Sequence, residues 1–548
     1  MLKRALIAIS LANLCFIPAW REILDPGSDF YCYHRKACPV GAKLTALTFD
    51  TLLLALVFFV AALIVSRARR PLLVKLAQLG FLFIFLIPLN LFRNQFTSLQ
   101  GPALVARLGK AALVVVILAL LLAAVFALYR LGVRSLAKAV AAVVLILSPF
   151  VLVAYAQAIT FLVKVHAAEA TDSVGELSAG APVVREQSRR VVWLIFDEMD
   201  YRVAFQDRPA TLKLPEFDRI RGQALFAANS YPPASSTLMS IPALVTGRTV
   251  VDASYLSPNE LAIKFEGGAE KVDWSTQPNI FARARQEGFT TAIVGTYHPY
   301  CRLFGKDLTA CSWQPTIDML LTQKLSVRQN MTRQAKRSFF FLLARFLPKP
   351  PEDNLAIDPE ERLFEVQNYP LILDDAQKAA SNPGLNLVFV HMAIPHPPSF
   401  YDRAKGELSK KRGGSYLDSL ALVDRTMGEL RAAMERAGVW DTTTVLISSD
   451  HWWRAFEMWD PRTGLAKYSA WWTKEDEMIS NGKVEHRIPF ILKLAGQKEG
   501  VVYEPAFNTL VSHDLVLAIL RGELASPESV VNWIDRQRAA AAPPAASP

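Results

Sequence analysis

Apolar residues are concentrated in the first third of the chain, where five apolar stretches alternate with short polar loops. Most of these stretches reach the roughly 20 residues that an α-helix needs to cross a bilayer. The first one is short and follows Lys3 and Arg4, which is also typical of a signal peptide, but no small-x-small cleavage site comes after it. We therefore expect five transmembrane helices within residues 1–165, the first of them uncleaved. They cover about residues 5–20, 44–65, 72–92, 111–129 and 136–163.

The pattern changes in the second part of the chain. Residues 166–189 are polar without periodicity, which predicts a linker. From residue 190 short apolar runs alternate with amphipathic segments, which predicts an α/β domain over 190–535 with a central, mostly parallel sheet. Residues 536–548 are rich in alanine and proline, which predicts a disordered tail. The predicted strands are 191–196, 290–295, 387–391, 443–448 and 489–494, and the predicted helices include 280–286, 415–437 and 512–520.

Composition supports a membrane protein with an outer domain. Of the 548 residues, 52% are hydrophobic, which is too apolar for a single soluble domain of this length. The net charge of +10 is modest, so it gives no support to a nucleic-acid partner and fits attraction to an anionic membrane surface. Lysines and arginines show a modest bias that places the N-terminus inside the cell.

Cysteine spacing agrees with that orientation. Cys32 and Cys38 lie close together in the first polar loop, and Cys301 and Cys311 lie close together in the α/β part. Two short-range pairs predict two disulfides in an oxidising compartment, and four unrelated free thiols are the alternative. Five spans would place both pairs outside. We therefore expect a multi-pass protein of a bacterial-type cytoplasmic membrane with a periplasmic α/β domain.

Acidic and histidine side chains follow the predicted strands. Asp197 and Glu198 come directly after strand 191–196, and Asp450 and His451 come directly after strand 443–448. Functional sites of open α/β sheets form at such strand ends. Carboxylate and imidazole ligands together suit a divalent cation, Zn²⁺ or Mn²⁺. The alternatives are a solvated strand end for the carboxylates and structural roles for the histidines.

Three consecutive hydroxyls precede a short apolar segment. Ser235, Ser236 and Thr237 lie at the start of a predicted helix, where unpaired N–H groups and the helix dipole favour an anion. A hydroxyl activated there by a metal or a base is a nucleophile for phosphoryl or sulfuryl groups. An ordinary helix N-cap is the alternative. By itself this pattern leaves the choice among the three hydroxyls open.

These motifs together resemble the alkaline phosphatase–sulfatase superfamily. The run Leu244–Arg248 (Leu-Val-Thr-Gly-Arg) is similar to the end of the sulfatase signature, whose nucleophile position corresponds to Thr237. The run Thr237–Pro242 is similar to the Thr-x-x-Ser-Val-Pro motif of the lipid A phosphoethanolamine transferases. Both alignments select Thr237. The x-Pro-x-Arg sequence that formylglycine formation requires is absent after Thr237, so a true sulfatase is disfavoured.

The resemblance covers about residues 191–520 and implies roles for individual residues. It makes Thr237 both nucleophile and metal ligand, gives His396 a contact with substrate phosphate, and gives His486 a second phosphate contact or a proton-donor role. The metal ligands that it implies are Asp197, Glu198, Thr237, Asp450 and His451, with zinc favoured over manganese. It assigns no role to His391 or His298, which we expect to be structural. Trp452 and Trp453 depart from the Gly-Glu pair usual in the family.

The membrane-bound relatives, which also include the lipoteichoic acid synthases, have five spans followed by an extracytoplasmic catalytic domain. The resemblance therefore implies transfer of a phospholipid head group, phosphoethanolamine or phosphoglycerol, through phosphothreonine to a lipid or glycan acceptor. A membrane-anchored phosphodiesterase or phosphatase is one alternative. The other is a degenerate, non-catalytic domain, in keeping with Trp452 and Trp453. The head group, the acceptor and the oligomeric state are left open.

Overall fold

The computed structural model describes two compact units. It covers residues 1–24, 40–96, 126, 129–167, 173–174, 189–257, 259–315, 325–340, 354–411, 413–455, 471–482 and 485–540. The first unit comprises residues 1–26, 37–169 and 322–351. The second comprises residues 27–36, 170–321 and 352–548.

The helices and strands are numbered here in chain order. The helices are α1 (Leu2–Cys15), α2 (Ile17–Leu24), α3 (Val40–Arg67), α4 (Pro71–Phe96), α5 (Val133–Ile146), α6 (Pro149–Ala167), α7 (Pro215–Arg221), α8 (Thr237–Thr246), α9 (Ile280–Gln286), α10 (Tyr300–Phe304), α11 (Val327–Ala335), α12 (Asn354–Ser381), α13 (Tyr416–Arg436), α14 (Lys474–Ser480), α15 (Ser512–Arg521) and α16 (Pro527–Ala540). The strands are β1 (Ser173–Val174), β2 (Arg190–Asp197), β3 (Leu225–Tyr231), β4 (Val250–Ser257), β5 (Glu260–Phe265), β6 (Val272–Asp273), β7 (Thr291–Thr296), β8 (Ala310–Gln314), β9 (Leu387–Pro395), β10 (Tyr401–Asp402), β11 (Glu407–Leu408), β12 (Thr443–Ser449), β13 (Ile488–Lys493), β14 (Val501–Tyr503) and β15 (Phe507–Asn508). Short π-helical turns form at Arg202–Gln206 and Lys336–Phe340, and 3₁₀ turns at Trp274–Thr276, Gly305–Asp307 and Thr509–Val511.

The first unit contains three helical segments long and apolar enough to cross a membrane, or up to four if α1 and α2 form one bent span. The three are α3, the first part of α4, and α5 with α6. Among the described residues these three segments agree with predicted spans 44–65, 72–92 and 136–163, and predicted segment 111–129 lies almost entirely outside the described residues. The predicted span 5–20 is not one straight helix, because α1 and α2 meet at 69°. Pro18 explains this break, since proline lacks the N–H that would continue the hydrogen-bond ladder of α1.

One segment of the first unit comes from far along the chain. Helix α11 and the turn after it fall inside the predicted domain 190–535, yet they pack on the membrane helices. Gln334 Nε2 donates to the carbonyl of Lys43 in α3 over 3.0 Å. The ring of Phe339 contacts Phe16 edge-on at 5.8 Å between centroids. The predicted domain is therefore interrupted by residues 322–351.

A large mixed sheet organises the second unit. Its strand order is β1-β8-β7-β9-β2-β12-β13-β3-β14, with β15 also paired to β3. The strands from β8 to β12 in that order are parallel, whereas β13 runs antiparallel to both of its neighbours. Each of the five predicted strands begins within one residue of its observed start, and predicted helix 280–286 coincides with α9. The sheet is thus mostly parallel, as the sequence pattern predicts.

Both faces of the sheet are covered, which is why its central strands are apolar throughout. In β2, Val191, Trp193 and Ile195 belong to one core, which also includes residues of α8, α9 and α15. Val192, Leu194 and Phe196 belong to a second core with residues of α7, α12 and α13. The unit is therefore a three-layer α/β/α fold.

Three details at the margins differ from or complete the sequence predictions. Strand β1 lies within the predicted linker 166–189 and pairs with β8. Helix α16 continues to Ala540, so the predicted disordered tail 536–548 begins inside a helix. Cys301 and Cys311 form a disulfide, whereas the predicted Cys32–Cys38 pair lies outside the described residues.

Candidate active site

Three adjacent parallel strands end at the same edge of the sheet. Asp197 is the last residue of β2, and Asp450 follows directly after β12. His391 lies in β9, opposite Ile195 of β2. Carboxyl ends of neighbouring parallel strands are where open α/β sheets bind ligands. The fold therefore brings these residues together from three distant parts of the chain.

Two carboxylates and two imidazoles meet at this edge. One ligand atom each from Asp197, Asp450 and His391 lie within 4.8 Å of one another. His451 Nε2 lies 3.5 Å from Asp197 Oδ1 and 3.4 Å from Asp450 Oδ2. Asp450, His391 and His451 are fully buried, and Asp197 is only 6% exposed. Buried carboxylates in such a group require a compensating positive charge.

The two histidines of the cluster are neutral, so each ring has one nitrogen that carries no proton. His451 Nδ1 donates to the carbonyl of Trp452 over 2.9 Å, which leaves Nε2 as an acceptor. Burial lowers the pKa of His451 to about 3 and that of His391 to about 4, so both rings are neutral at pH 7. Burial, reinforced by the charges of Asp450 and Glu198, raises the pKa of Asp197.

A divalent cation fits this arrangement of acceptors. Asp450 Oδ2 and His391 Nε2 are buried and have no hydrogen-bond partner in the described part of the chain. His391 Nδ1 is satisfied by the carbonyl of Thr296 and the hydroxyl of Tyr300, at 3.2 and 2.8 Å. A second ring nitrogen fixed by a carbonyl is typical of metal-binding histidines. Asp197, Asp450, His451 and His391 are therefore the residues that would hold the ion.

Thr237 contributes a hydroxyl to the same cluster. It is the first residue of α8, and its Oγ1 donates to Asp197 Oδ1 over 3.4 Å and lies 3.2 Å from His451 Nε2. Ser236 is the extended residue that precedes the helix, and its side chain makes no capping bond. Ser235 is exposed. Of the three hydroxyls in this loop, Thr237 has the contacts that a nucleophile at the metal centre requires.

A buried histidine forms a hydrogen bond with the backbone of Thr237. His298 Nε2 donates to the carbonyl of Thr237 over 3.2 Å, and burial lowers the pKa of His298 to about 3. Ser240 anchors the loop by donating to the carbonyl of Ala234 over 2.8 Å. His298 therefore has the structural role that the sequence predicts, and that role is to position Thr237.

Glu198 is placed differently from Asp197. Its backbone has φ = +66°, a left-handed conformation that is uncommon for a residue with a side chain. Its Oε1 accepts hydrogen bonds from Arg454 Nε and Nη2 at 2.9 and 2.8 Å. Burial alone would raise the pKa of Glu198, but the charge of Arg454 and its hydrogen bonds leave it below its ordinary value. In this structure Glu198 is the partner of an arginine.

The two remaining predicted site histidines lie at the margin of the cluster. His396 follows β9, is half-buried, and donates from Nδ1 to the carbonyl of Pro397 over 2.6 Å. His486 is exposed, and its ring packs on Trp452 with centroids 4.2 Å apart. The contacts of both histidines with substrate phosphate stay predictions.

Sequence reasoning missed three contributors. Arg454 lies three residues after His451, and Tyr416 lies 218 residues after Glu198, whose carbonyl accepts a 2.6 Å hydrogen bond from the Tyr416 hydroxyl. The third is His391, to which the resemblance assigns no role; a lone histidine at a strand end is more often structural than a metal ligand. The signal that could have identified it is its position five residues before His396, at the end of an apolar strand.

Comparisons with known proteins identify the family of this fold and site. A family model described as Sulfatase matches residues 189–521, which is more than half of the chain. The chain belongs to the sulfatase family. As a sulfatase-family protein of the alkaline phosphatase superfamily, it is an enzyme of a metal-dependent group, which agrees with the cluster of Asp197, Asp450 and His391.

Solved structures similar to this sulfatase-family chain include sulfatases and phosphonate hydrolases. One is the PsFucS1 sulfatase from Pseudoalteromonas sp., with 16% identity, a TM-score of 0.36, and coverage of 62% of this chain and 69% of the other. Another is the phosphonate monoester hydrolase of Agrobacterium radiobacter, with 12% identity, a TM-score of 0.35, and coverage of 61% and 74%. A third is the phosphonate monoester hydrolase of Silicibacter pomeroyi, with 14% identity, a TM-score of 0.35, and coverage of 61% and 73%. A search of curated protein sequences found no match.

Proposed function

We propose that this protein transfers a phospholipid head group, phosphoethanolamine or phosphoglycerol, to a lipid or glycan acceptor outside the cytoplasm. The observation that carries the proposal is the nucleophile position. A threonine hydroxyl lies 3.2 Å from His451 Nε2 and 3.4 Å from Asp197 Oδ1, where sulfatases use a modified cysteine or serine. A threonine cannot become formylglycine, and its ester with phosphate is a reasonable covalent intermediate.

The first step replaces one phosphate ester bond with another. Thr237 Oγ1 attacks the phosphorus of the donor lipid, and its proton moves toward Asp197 Oδ1, to which it already donates. The bond from phosphorus to the diacylglycerol oxygen breaks, and that oxygen leaves with a proton as the diacylglycerol hydroxyl. In the second step an acceptor hydroxyl attacks the same phosphorus and releases Thr237.

Residues around Thr237 support this chemistry by position and charge. Asp197, Asp450, His451 and His391 would hold a divalent cation, Zn²⁺ being favoured by the mixed oxygen and nitrogen ligands. Such an ion lowers the pKa of a hydroxyl and offsets phosphate charge. His298 fixes the Thr237 carbonyl, so the nucleophile is pre-positioned before substrate binds.

The membrane unit supports a lipid donor over a soluble one. In the described part of the chain, three apolar helical segments, or up to four with the bent pair, accompany the catalytic unit. A phospholipid is confined to the bilayer, so an enzyme that acts on its head group benefits from the same confinement. A soluble phosphate ester gives no such reason for the membrane helices.

Replacement of the nucleophile tests the proposal. Purified protein in lipid nanodiscs is supplied with fluorescent phosphatidylethanolamine and phosphatidylglycerol, and diacylglycerol release is measured. Thr237→Ala should lower release by roughly a thousandfold or more, as expected for loss of a covalent nucleophile. Thr237→Ser keeps a hydroxyl and should retain measurable release, and the metal content of both variants should stay close to that of the wild type.

Mass spectrometry of the trapped intermediate gives the most direct readout. A head-group adduct on Thr237 of the wild-type protein is expected. Undiminished turnover in Thr237→Ala would move the nucleophile to Ser235 or Ser236. Diacylglycerol release without any modified acceptor would assign hydrolysis in place of transfer.

A further inference from the structure

Residues 322–351, which belong to the first unit, carry most of the excess positive charge of the chain. They include seven lysines and arginines and no aspartate or glutamate, whereas the net charge of the whole chain is +10. Basic clusters of this size beside a membrane helix are typical of segments that bind acidic lipids. The charge is therefore concentrated on a segment that packs on the membrane helices.

Helix α11 has one buried and one exposed face. Asn330 and Gln334 are buried and lie about one turn apart. Arg328 and Lys336 are exposed, and Arg333 is half-buried. Each of the two exposed residues is two positions, or about 200° of helix rotation, from one of the buried pair. The charged side chains of α11 therefore point away from its buried face.

The buried face attaches α11 to the membrane helix α3. Gln334 Nε2 donates to the carbonyl of Lys43 over 3.0 Å. The ammonium group of Lys43 forms an ion pair with Glu22 Oε1 at 2.6 Å, and its side chain is only 5% exposed. Lys43 is therefore used inside the unit, and the accessible positive charge at this place belongs to α11.

Helix α3 indicates the level of the bilayer at which α11 lies. The exposed apolar side chains of α3 begin at Phe49 and continue with Leu53, and such a surface faces acyl chains. Lys43, on which α11 packs, comes before this apolar band. Phe339, in the turn after α11, joins an apolar cluster that includes Leu54 of α3. The helix therefore lies at the level of the lipid head groups, and the turn after it reaches the hydrocarbon.

The basic side chains of α11 have no acidic partner of their own. The helix contains no acidic residue, and in the described part of the chain none of Arg328, Arg333 and Lys336 forms an ion pair. A guanidinium group presents paired N–H donors that match two phosphate oxygens. In a zwitterionic lipid the choline cation already offsets the phosphate charge, whereas an acidic lipid leaves it unbalanced. An acidic phospholipid therefore complements this face.

We propose that the exposed face of α11 binds the head groups of acidic phospholipids. Arg328 and Arg333 bond to phosphate oxygens, and Lys336 adds a third positive charge. This binding holds the segment that interrupts the α/β domain at the bilayer surface. It does not depend on the proposed reaction of Thr237, because it concerns a surface of the first unit.

Photocrosslinking with two lipid probes tests the surface. The full-length protein is reconstituted in phosphatidylcholine nanodiscs with a photoactivatable analogue of either phosphatidylserine or phosphatidylcholine, reactive close to its head group. Neither lipid is a donor in the proposed reaction. Chymotrypsin digestion and mass spectrometry then measure the crosslinks on α11. Phosphatidylserine should give at least about threefold more crosslinks than phosphatidylcholine, and about 1 M NaCl should bring this ratio close to one, because salt screens exposed charges.

Removal of the three charges should have the same effect as salt. The triple variant Arg328→Gln, Arg333→Gln and Lys336→Gln leaves the buried face of α11 unchanged, and its ratio of phosphatidylserine to phosphatidylcholine crosslinks should fall close to one. A matched variant removes three exposed charges from the second unit and should keep the wild-type ratio. Its substitutions are Lys213→Gln, Lys410→Gln and Arg436→Gln.

The other end of α3 serves as an internal control. Residues 67–70 contain three arginines, and their crosslink ratio should be the same in the wild type and the triple variant. A parallel fall at residues 67–70 would overturn the assignment to α11. Equal labelling of wild-type α11 by the two probes, or no labelling by either, also overturns the proposal. So does a preference for phosphatidylserine that persists in the triple variant.

Discussion

His391 is the residue whose role the structure changes most. It lies in a buried strand, β9, yet its Nε2 has no hydrogen-bond partner among the described residues. One of its ring nitrogens lies within 4.8 Å of the ligand atoms of Asp197 and Asp450. A histidine that served packing alone would have both ring nitrogens satisfied. We therefore treat His391 as part of the metal centre.

Replacing His391 distinguishes a ligand from a packing residue. His391→Gln should lower metal affinity by at least roughly 10–100-fold, because loss of the outer groups that only orient metal ligands already costs that much. Metal content after dialysis against a buffered zinc solution provides the measurement. His298→Gln is the control, since His298 is equally buried but bonds the Thr237 carbonyl; it should keep its metal and lose turnover. Unchanged affinity in His391→Gln would return that residue to a packing role.

The site was predictable as far as its residues follow strands or a linear motif. Asp197, Asp450, His451 and Thr237 are all identified in this way, and the structure brings them together. Arg454 was not identifiable, because its role is defined by an ion pair with Glu198, 256 residues earlier. The stack of Tyr416 on Trp453 likewise arises from tertiary packing. Contacts across the fold leave no periodic signal in sequence.

Helix α8 begins at Thr237, the proposed nucleophile, and is followed by Gly247. Gly247 follows the helix with φ = +69°, and a Cβ there would lie 2.9 Å from the ring of His513. Gly438 follows α13 with the same φ, but nothing lies within 4 Å of its Cβ position. A side chain at Gly438 would therefore cause backbone strain alone, whereas one at Gly247 would cause backbone strain and a steric clash.

Replacement of these two glycines by alanine should lower the free energy of unfolding by different amounts. Gly438→Ala incurs only the left-handed backbone penalty of about 1–2 kcal/mol. Gly247→Ala adds overpacking against a buried ring and should cost about 1–3 kcal/mol more. Thermal unfolding midpoints of the two variants, measured in the same nanodiscs, provide the comparison. Equal shifts would show that His513 moves aside freely.

Five strands of the second unit were predictable because their burial is regular, whereas β3, β4, β5 and β8 were not predicted. Central strands buried on both faces give continuous apolar runs, so β2, β9 and β12 are located to within a residue at their starts. The short strands β10 and β11 were not predicted, since two residues carry no period. The break between α1 and α2 was missed because apolarity continues through Pro18, although the hydrogen bonds of α1 do not.

At the scale of the whole molecule, stability at alkaline pH depends on a buried lysine. Lys493 of β13 is 1% exposed; its Nζ donates to the carbonyls of Trp440 and Leu494 and lies 4.9 Å from the Trp440 ring. Burial lowers the pKa of Lys493 to about 8, from 10.5 for an unperturbed lysine. Between these pH values the unfolded chain binds a proton that the folded chain does not. The titration of Lys493 therefore makes folding more favourable as pH rises from 8 to 10.5.

Lys493→Met should remove that dependence on pH. The thermal unfolding midpoint of Lys493→Met, compared with that of the wild type, should fall as the pH rises from 7 to 10, because only the wild type gains stability. Differential scanning fluorimetry across this range measures it. Lys498→Met removes an exposed lysine that pairs with Asp441 and should show no comparable trend. A constant difference for Lys493→Met would mean that Lys493 stays charged in the fold.

Because residues 322–351 belong to the first unit, they limit which fragments of this protein can be prepared. A fragment that begins after the linker, at residue 190, still contains α11 and the turn around Phe339, whose packing partners Lys43 and Phe16 are then missing. In such a fragment, α11 and the turn around Phe339 are exposed because the helices on which they pack are missing. A soluble catalytic fragment needs a second excision that joins the chain near residue 321 to the start of α12. For the same reason, a single proteolytic cut in the linker leaves the catalytic unit attached to the membrane fraction.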